Sequence, residues 1–85
     1  MKIYKFVPDD FGRIHLPGLH YILDVQRQNG VITVWAIVDP TQPSESVRIV
    51  YTKLTGNEVE PEERHYYYKT LQHDDGSYVE HIFVR

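Results

Sequence analysis

The chain contains no cysteine, one methionine and one tryptophan. Without thiols there is no disulfide framework, thiolate zinc site, iron–sulfur cluster or cysteine nucleophile, so stability must come from packing or self-association. Long apolar stretches are also missing. The run Val31 to Val38 is far shorter than the roughly 20 residues that span a bilayer, and Met1-Lys2-Ile3-Tyr4-Lys5 lacks the apolar core of a signal peptide. A soluble, cytoplasmic protein with no membrane partner is expected. Excess positive charge is absent too: 9 Lys and Arg against 12 Asp and Glu leave a net charge of −3. No general field draws nucleic acid to the chain, and nucleic acid is not an expected partner.

Catalytic signatures are equally scarce. Ser44, Ser46 and Ser77 lie outside any Gly-x-Ser-x-Gly elbow, and the pairs Asp9/Asp10, Glu62/Glu63 and Asp74/Asp75 sit in polar loops, where solvated turn residues are the ordinary explanation. No catalytic residue is assigned, and no enzyme is expected. His15, His20, His65, His73 and His81 show none of the spacings that ligate a metal, so neither a metal nor another cofactor is expected.

What the sequence does contain is alternation. Apolar residues recur at every second position, in segments rich in Val, Ile, Thr, Tyr, Phe and Trp, and 41% hydrophobic with 25% charged residues suits a folded domain. Strands are predicted at 2–7, 13–16, 20–28, 31–38, 46–54, 65–72 and 78–84, separated by Pro, Gly, Asp and Asn. The 85 residues make one all-β domain, 1–85, with a small, mostly antiparallel sheet folded as a compact sandwich or partly open barrel. At most one short helical turn is expected, near 57–64, where Pro61 suits a first helical turn.

Asn29-Gly30 is the strongest local signal, since both residues tolerate the positive φ of a type I′ hairpin turn. The register it implies, with Gln28 opposite Val31, sets Val25 opposite Val34, Leu23 opposite Ala36 and Tyr21 opposite Val38 on one apolar face. The other face pairs Ile22 with Ile37, Asp24 with Trp35 and Gln26 with Thr33. A second turn at Asp75-Gly76 would oppose Asp74 to Ser77, Gln72 to Val79, Thr70 to His81 and Tyr68 to Phe83, with Tyr67 near Val84. Both faces of that pair carry aromatic or aliphatic residues, as in an internal strand pair or one that meets a second subunit.

Several residues have a functional reading beside a structural one. Trp35, on the mixed face, is either a packed indole or a stacking surface. In Arg64-His65-Tyr66-Tyr67-Tyr68-Lys69 a strand sends Tyr66 and Tyr68 one way and Tyr67 the other; rings beside cations can stack a base while the cations meet phosphate. Arg48, Tyr51 and Lys53 lead into Leu54-Thr55-Gly56-Asn57, a loop able to turn backbone amides toward an anion, although it lacks the Gly-Lys-Ser/Thr element of a P-loop. Arg48 projects from the face opposite Tyr51 and Lys53.

The pattern Met1-Lys2-Ile3-Tyr4-Lys5-Phe6, Leu16-Pro17-Gly18, Gln28-Asn29-Gly30, Val34-Trp35-Ala36-Ile37-Val38-Asp39-Pro40, Thr55-Gly56 and Val79-Glu80-His81-Ile82-Phe83 resembles an uncharacterised family of small phage- and prophage-encoded proteins. The resemblance implies a phage accessory protein that inhibits a host process stoichiometrically. Two readings follow: an oligomer that sequesters a nucleotide-derived immune signal, or an inhibitor that docks on a host defence protein. A structural or regulatory phage protein is a third. The candidate ligand or partner residues are Trp35, Arg48, Tyr51, Lys53, Thr55, Gly56, Arg64, Tyr66, Tyr68 and His81, with Arg85 a further cation for phosphate. A homo-oligomer is expected.

Overall fold

The computed structural model describes residues 1–73, 76 and 78–85. Its strands are β1 (Lys2–Phe6), β2 (Arg13–Pro17), β3 (His20–Gln28), β4 (Val31–Val38), β5 (Glu45–Leu54), β6 (Tyr67–His73) and β7 (Tyr78–Val84). All ladders are antiparallel, in a three-stranded sheet of order β1-β4-β3 and a four-stranded sheet of order β2-β5-β7-β6. The all-β class is the expected one. No helix among the described residues is long and apolar enough to cross a membrane. The chain divides into two compact units, Met1–Ile49 and Val50–Arg85.

In the first unit the β3–β4 hairpin forms where the sequence predicts it. Asn29 and Gly30 adopt φ of 52° and 81°, as a type I′ turn requires; a β-branched residue at either position would be strained. The expected register holds from Gln28↔Val31 through Val25↔Val34 to Asp24↔Trp35 and then slips. A bulge at Leu23 pairs Ile22 with Ala36, Tyr21 with Ile37 and His20 with Val38, replacing the Leu23–Ala36 and Tyr21–Val38 pairs that an unbroken ladder would give. The bulge has a visible consequence: Tyr21 and Leu23 stand exposed instead of buried. The core of this unit is Ile14, Leu16, Val25, Val34, Ala36 and Val38, all nearly inaccessible. β1 pairs along the other side of β4, with Ile3 opposite Ile37 and Lys5 opposite Trp35. At the β1–β2 turn Asp9 accepts hydrogen bonds from the Phe11 and Arg13 amides and from Arg13 Nε at 2.8–2.9 Å. These bonds, the Arg13 amide first, hold its carboxyl below the usual carboxylate range.

In the second unit the last five residues of β5 pair with β7, and β7 with β6. Even-numbered residues of β7 point into the core: Ile82 and Glu80 are fully buried and Val84 nearly so, with Val50 and Leu71 beside them. The buried Glu80 carboxylate receives His73 Nε2 at 2.9 Å. Gln72↔Val79 and Thr70↔His81 pair as expected, but a bulge between Tyr67 and Lys69 sets Tyr67, not Tyr68, opposite Phe83. Tyr67 therefore does not reach the position opposite Val84. The proposed Asp74–Ser77 pairing, and Asp75 of its turn, lie outside the described residues. The helical turn is a 3-10 helix at Pro61–Tyr66, begun by Pro61 and braced by a Glu63 carboxylate that accepts the Glu60 amide at 2.7 Å. His65 and Tyr66 belong to this turn and not to the strand expected at 65–72.

Candidate functional site

Antiparallel pairing lines up one residue from each strand across a face, and in the second unit two such rows carry most of the chemistry. Tyr51, Phe83 and Tyr67 form one; Lys53, His81 and Thr70 form the next. The first row is aromatic. Tyr51 stacks on Phe83 with ring centroids 5.1 Å apart and planes at 10°, and Tyr67 meets Phe83 edge-on at 6.0 Å and 76°, the offset and T-shaped geometries that ring quadrupoles favour. Phe83 is buried, while Tyr67 is about half exposed at 51%. The second row is polar. His81 Nδ1 lies 3.0 Å from Thr70 Oγ1, which lies 2.7 Å from the Tyr67 hydroxyl.

The loop after β5 closes the polar row from above. The Leu54 amide donates to Asn57 Oδ1 at 2.7 Å, and the Asn57 amide returns to the Leu54 carbonyl at 2.9 Å. Gly56 takes φ of 96°, a left-handed conformation that a Cβ would strain. This turn places Thr55 Oγ1 at 2.8 Å from His81 Nε2. A chain of side-chain hydrogen bonds thus runs from Tyr67 through Thr70 and His81 to Thr55. Lys53 Nζ donates to the Glu58 carbonyl at 3.0 Å, which leaves two ammonium hydrogens for another acceptor.

Two adjoining clefts open on this surface. One, about 270 Å³, is lined by Lys53, Thr55, Gly56, Asn57, Tyr67 and His81 among others. The second, about 400 Å³, has Pro61 and Arg64 on its wall and shares Val59, Tyr67 and Phe83 with the first. Together they offer an apolar floor with Lys53 at one side and, at the other, Arg64 with Glu60 on the same wall. Arg64 makes no ion pair among the described residues.

Tyr51 links floor to frame. Its hydroxyl donates to Glu63 Oε1 at 2.8 Å, and burial, reinforced by that carboxylate, pushes the phenol up to about 12. Glu63 moves the opposite way, held below the ordinary carboxylate range first by the Glu60 amide and then by Tyr51. The pair fixes the 3-10 turn, and with it Arg64, beside the aromatic row.

Of the residues singled out by sequence, Lys53, Thr55, Gly56, Arg64 and His81 line the clefts, and Tyr51 supports them. Tyr66 stacks under Arg85, whose guanidinium carbon is 5.2 Å from the ring centre, and neither it nor Tyr68 lines either cleft. Trp35 and Arg48 belong to the first unit. Trp35 is half-buried on β4, and Arg48 Nη1 lies 3.0 Å from His20 Nε2. The signal for Tyr67 was present in the Tyr-Tyr-Tyr run, but the bulge exchanges the face that Tyr67 and Tyr68 present, and a one-residue slip is invisible to alternation. Phe83, Thr70 and Val59 carry no such signal in the sequence.

Among the described residues no group of three or more His, Cys, Asp or Glu is arranged to hold a metal ion. No curated protein and no solved structure matches the chain. A model for a domain of unknown function, DUF7352, matches residues 1–85. The chain therefore belongs to the DUF7352 family.

Proposed function

We propose that this chain is a stoichiometric, non-catalytic binding protein whose second unit takes a nucleotide-derived anion on the β5–β7–β6 face. The observation that carries the reading is the adjacency of the two rows: an aromatic row for a base, and beside it Lys53, His81 and the Thr55 hydroxyl for a phosphate, with Arg64 on the far side of the floor. A base against an aromatic ring and a phosphate against a cation each contribute about 1–3 kcal/mol. The cleft volumes suit a ligand of nucleotide size. Binding without turnover fits His81, whose ring meets two threonine hydroxyls and no carboxylate among the described residues, so the usual third member of a nucleophile–base–acid relay is missing. In the phage-type setting that the sequence resemblance implies, the ligand is a nucleotide-derived immune signal and the protein a counter-defence inhibitor in the host cytoplasm.

A thermal-shift panel of nucleoside mono-, di- and triphosphates with cyclic mono- and dinucleotides tests this. A true ligand at 100 times its Kd adds about 2.7 kcal/mol of stability, a Tm rise on the order of 10 °C for a domain of this size. Heating the complex should return the ligand intact. A flat panel would overturn the proposal, and release of a cleaved product would overturn its non-catalytic part.

A further inference from the structure

The first unit carries a different surface. On the face of the β1–β4–β3 sheet away from Val34, Ala36 and Val38, two rows lie side by side: Ile3, Ile37 and Tyr21, then Lys5, Trp35 and Asp24. Ile3 is 63% and Tyr21 59% exposed, and Ile37 and Trp35 are half-buried between them. Two exposed apolar side chains flanking a half-buried isoleucine beside an indole make a patch of the kind that marks an interface.

The arrangement of charge on this patch specifies what covers it. Lys5 stands at one end of the Trp35 row and Asp24 at the other. A two-fold axis lying in the interface parallel to the strands reverses the order of strands and leaves position along them unchanged. It therefore sets Lys5 of one copy over Asp24 of the other, Trp35 over Trp35, Ile37 over Ile37 and Ile3 over Tyr21. A two-fold axis across the strands would instead set Lys5 over Lys5 and Asp24 over Asp24. Only the first is self-complementary in both charge and apolar surface, as an isologous contact requires. Pairing through the β1 edge is the poorer alternative, because Lys2 and Lys5 sit on that edge strand and edge lysines discourage strand addition.

We propose that the chain forms a homodimer in which the β1–β4–β3 sheets pack face to face about a two-fold axis parallel to the strands, joined by two Lys5–Asp24 ion pairs around a central Trp35 contact. Lys5 must first leave Gln28 Oε1, an exposed bond of 3.2 Å to a neutral amide. Lys5 would join the Val25 amide, at 2.9 Å, and Gln26 Nε2, at 3.1 Å, among the donors around Asp24.

Sedimentation equilibrium of the full chain over a concentration series, with Lys5→Glu, Asp24→Lys, the double exchange and Tyr21→Lys, tests the proposal. The wild type should dimerise, and each single charge reversal should weaken association roughly tenfold or more, while the double exchange restores most of it. Tyr21→Lys, at an exposed position that folding does not require, should also yield monomer. If Asp24→Lys fails to fold, Lys5→Glu and Tyr21→Lys decide alone. A wild type that stays monomeric at millimolar concentration, a dimer indifferent to Lys5→Glu and Tyr21→Lys, or a double exchange no better than the singles would each overturn it.

Discussion

The β5–β7–β6 face and the β1–β4–β3 face are built alike, from rows of one residue per strand, yet their polar groups are distributed differently. In the second unit the row members satisfy one another: Tyr51 and Tyr67 pack on Phe83, and Thr70 holds His81. Lys53 stands at one side of the clefts and Arg64, with Glu60 on the same wall, at the other. In the first unit Lys5 and Asp24 stand at opposite ends of one row, with Trp35 between them. A preorganised surface suits a small ligand, because its own side chains need not rearrange. A face with opposite charges at the two ends of one row suits its own copy. Sheet geometry supplies the rows in each case, and the side-chain chemistry chooses the partner.

The widest contrast lies between the layer beneath the site and the exposed face of the other sheet. Ile82 is fully buried and Ile3 is 63% exposed, so the same change should give very different results. Ile82→Ala is expected to cost about 2–5 kcal/mol in urea unfolding, and Ile3→Ala to stay within about 0.5 kcal/mol at a protein concentration where the chain is monomeric. Equal effects would mean that the layers are misassigned.

The next effect concerns the cleft. Lys53→Gln and Arg64→Gln should each weaken nucleotide binding by roughly tenfold or more in calorimetric titration, and Lys5→Gln should leave it unchanged. Loss of affinity in Lys5→Gln with none in Lys53→Gln would transfer the site to the other sheet.

Alkali should probe the frame of the site. Tyr51 titrates at about 12 in the folded chain against about 10 when unfolded. Its contribution is therefore complete below pH 10 and is lost as pH rises through 12. Tyr51→Phe should abolish that part of the alkaline loss and cost about 1 kcal/mol at neutral pH for the lost hydrogen bond. Glu63 works in the other direction: its depressed pKa gives stability present above the unfolded value and lost as pH falls through the folded one. Glu63→Gln should flatten the acid limb of stability against pH.

A local effect is expected of Thr70→Val, which removes the hydroxyl between Tyr67 and His81. It should cost about 1 kcal/mol and alter the His81 ring nitrogen shifts in NMR. Unaltered shifts would mean that the chain of hydrogen bonds does not hold the ring.

Much of this was legible in the amino-acid order. Asn29-Gly30 announces its turn because few residues accept positive φ, and β3, β4 and β7 follow from alternation alone. The cleft residues Lys53, Thr55, Gly56 and His81 stand out because a Gly-Asn loop beside a cation is locally encoded. The two bulges are not, since whether a strand takes an extra residue at Leu23 or Tyr68 depends on packing against neighbours distant in sequence. Each slip exchanges faces, which is why Tyr67 and not Tyr68 shares a surface with His81, and why Tyr21 is exposed. Pro61 marks the start of a helical turn, but its extension to Tyr66 depends on the Glu63 contacts to Glu60 and to Tyr51 across the unit.

The most direct measurement is an amide and imidazole NMR titration of the full chain with the nucleotide giving the largest thermal shift. The account predicts changes at Lys53 to Asn57, Arg64, Tyr67 and His81, with Ile3, Tyr21 and Trp35 unmoved. Changes centred on Trp35, or none at any nucleotide concentration, would contradict it.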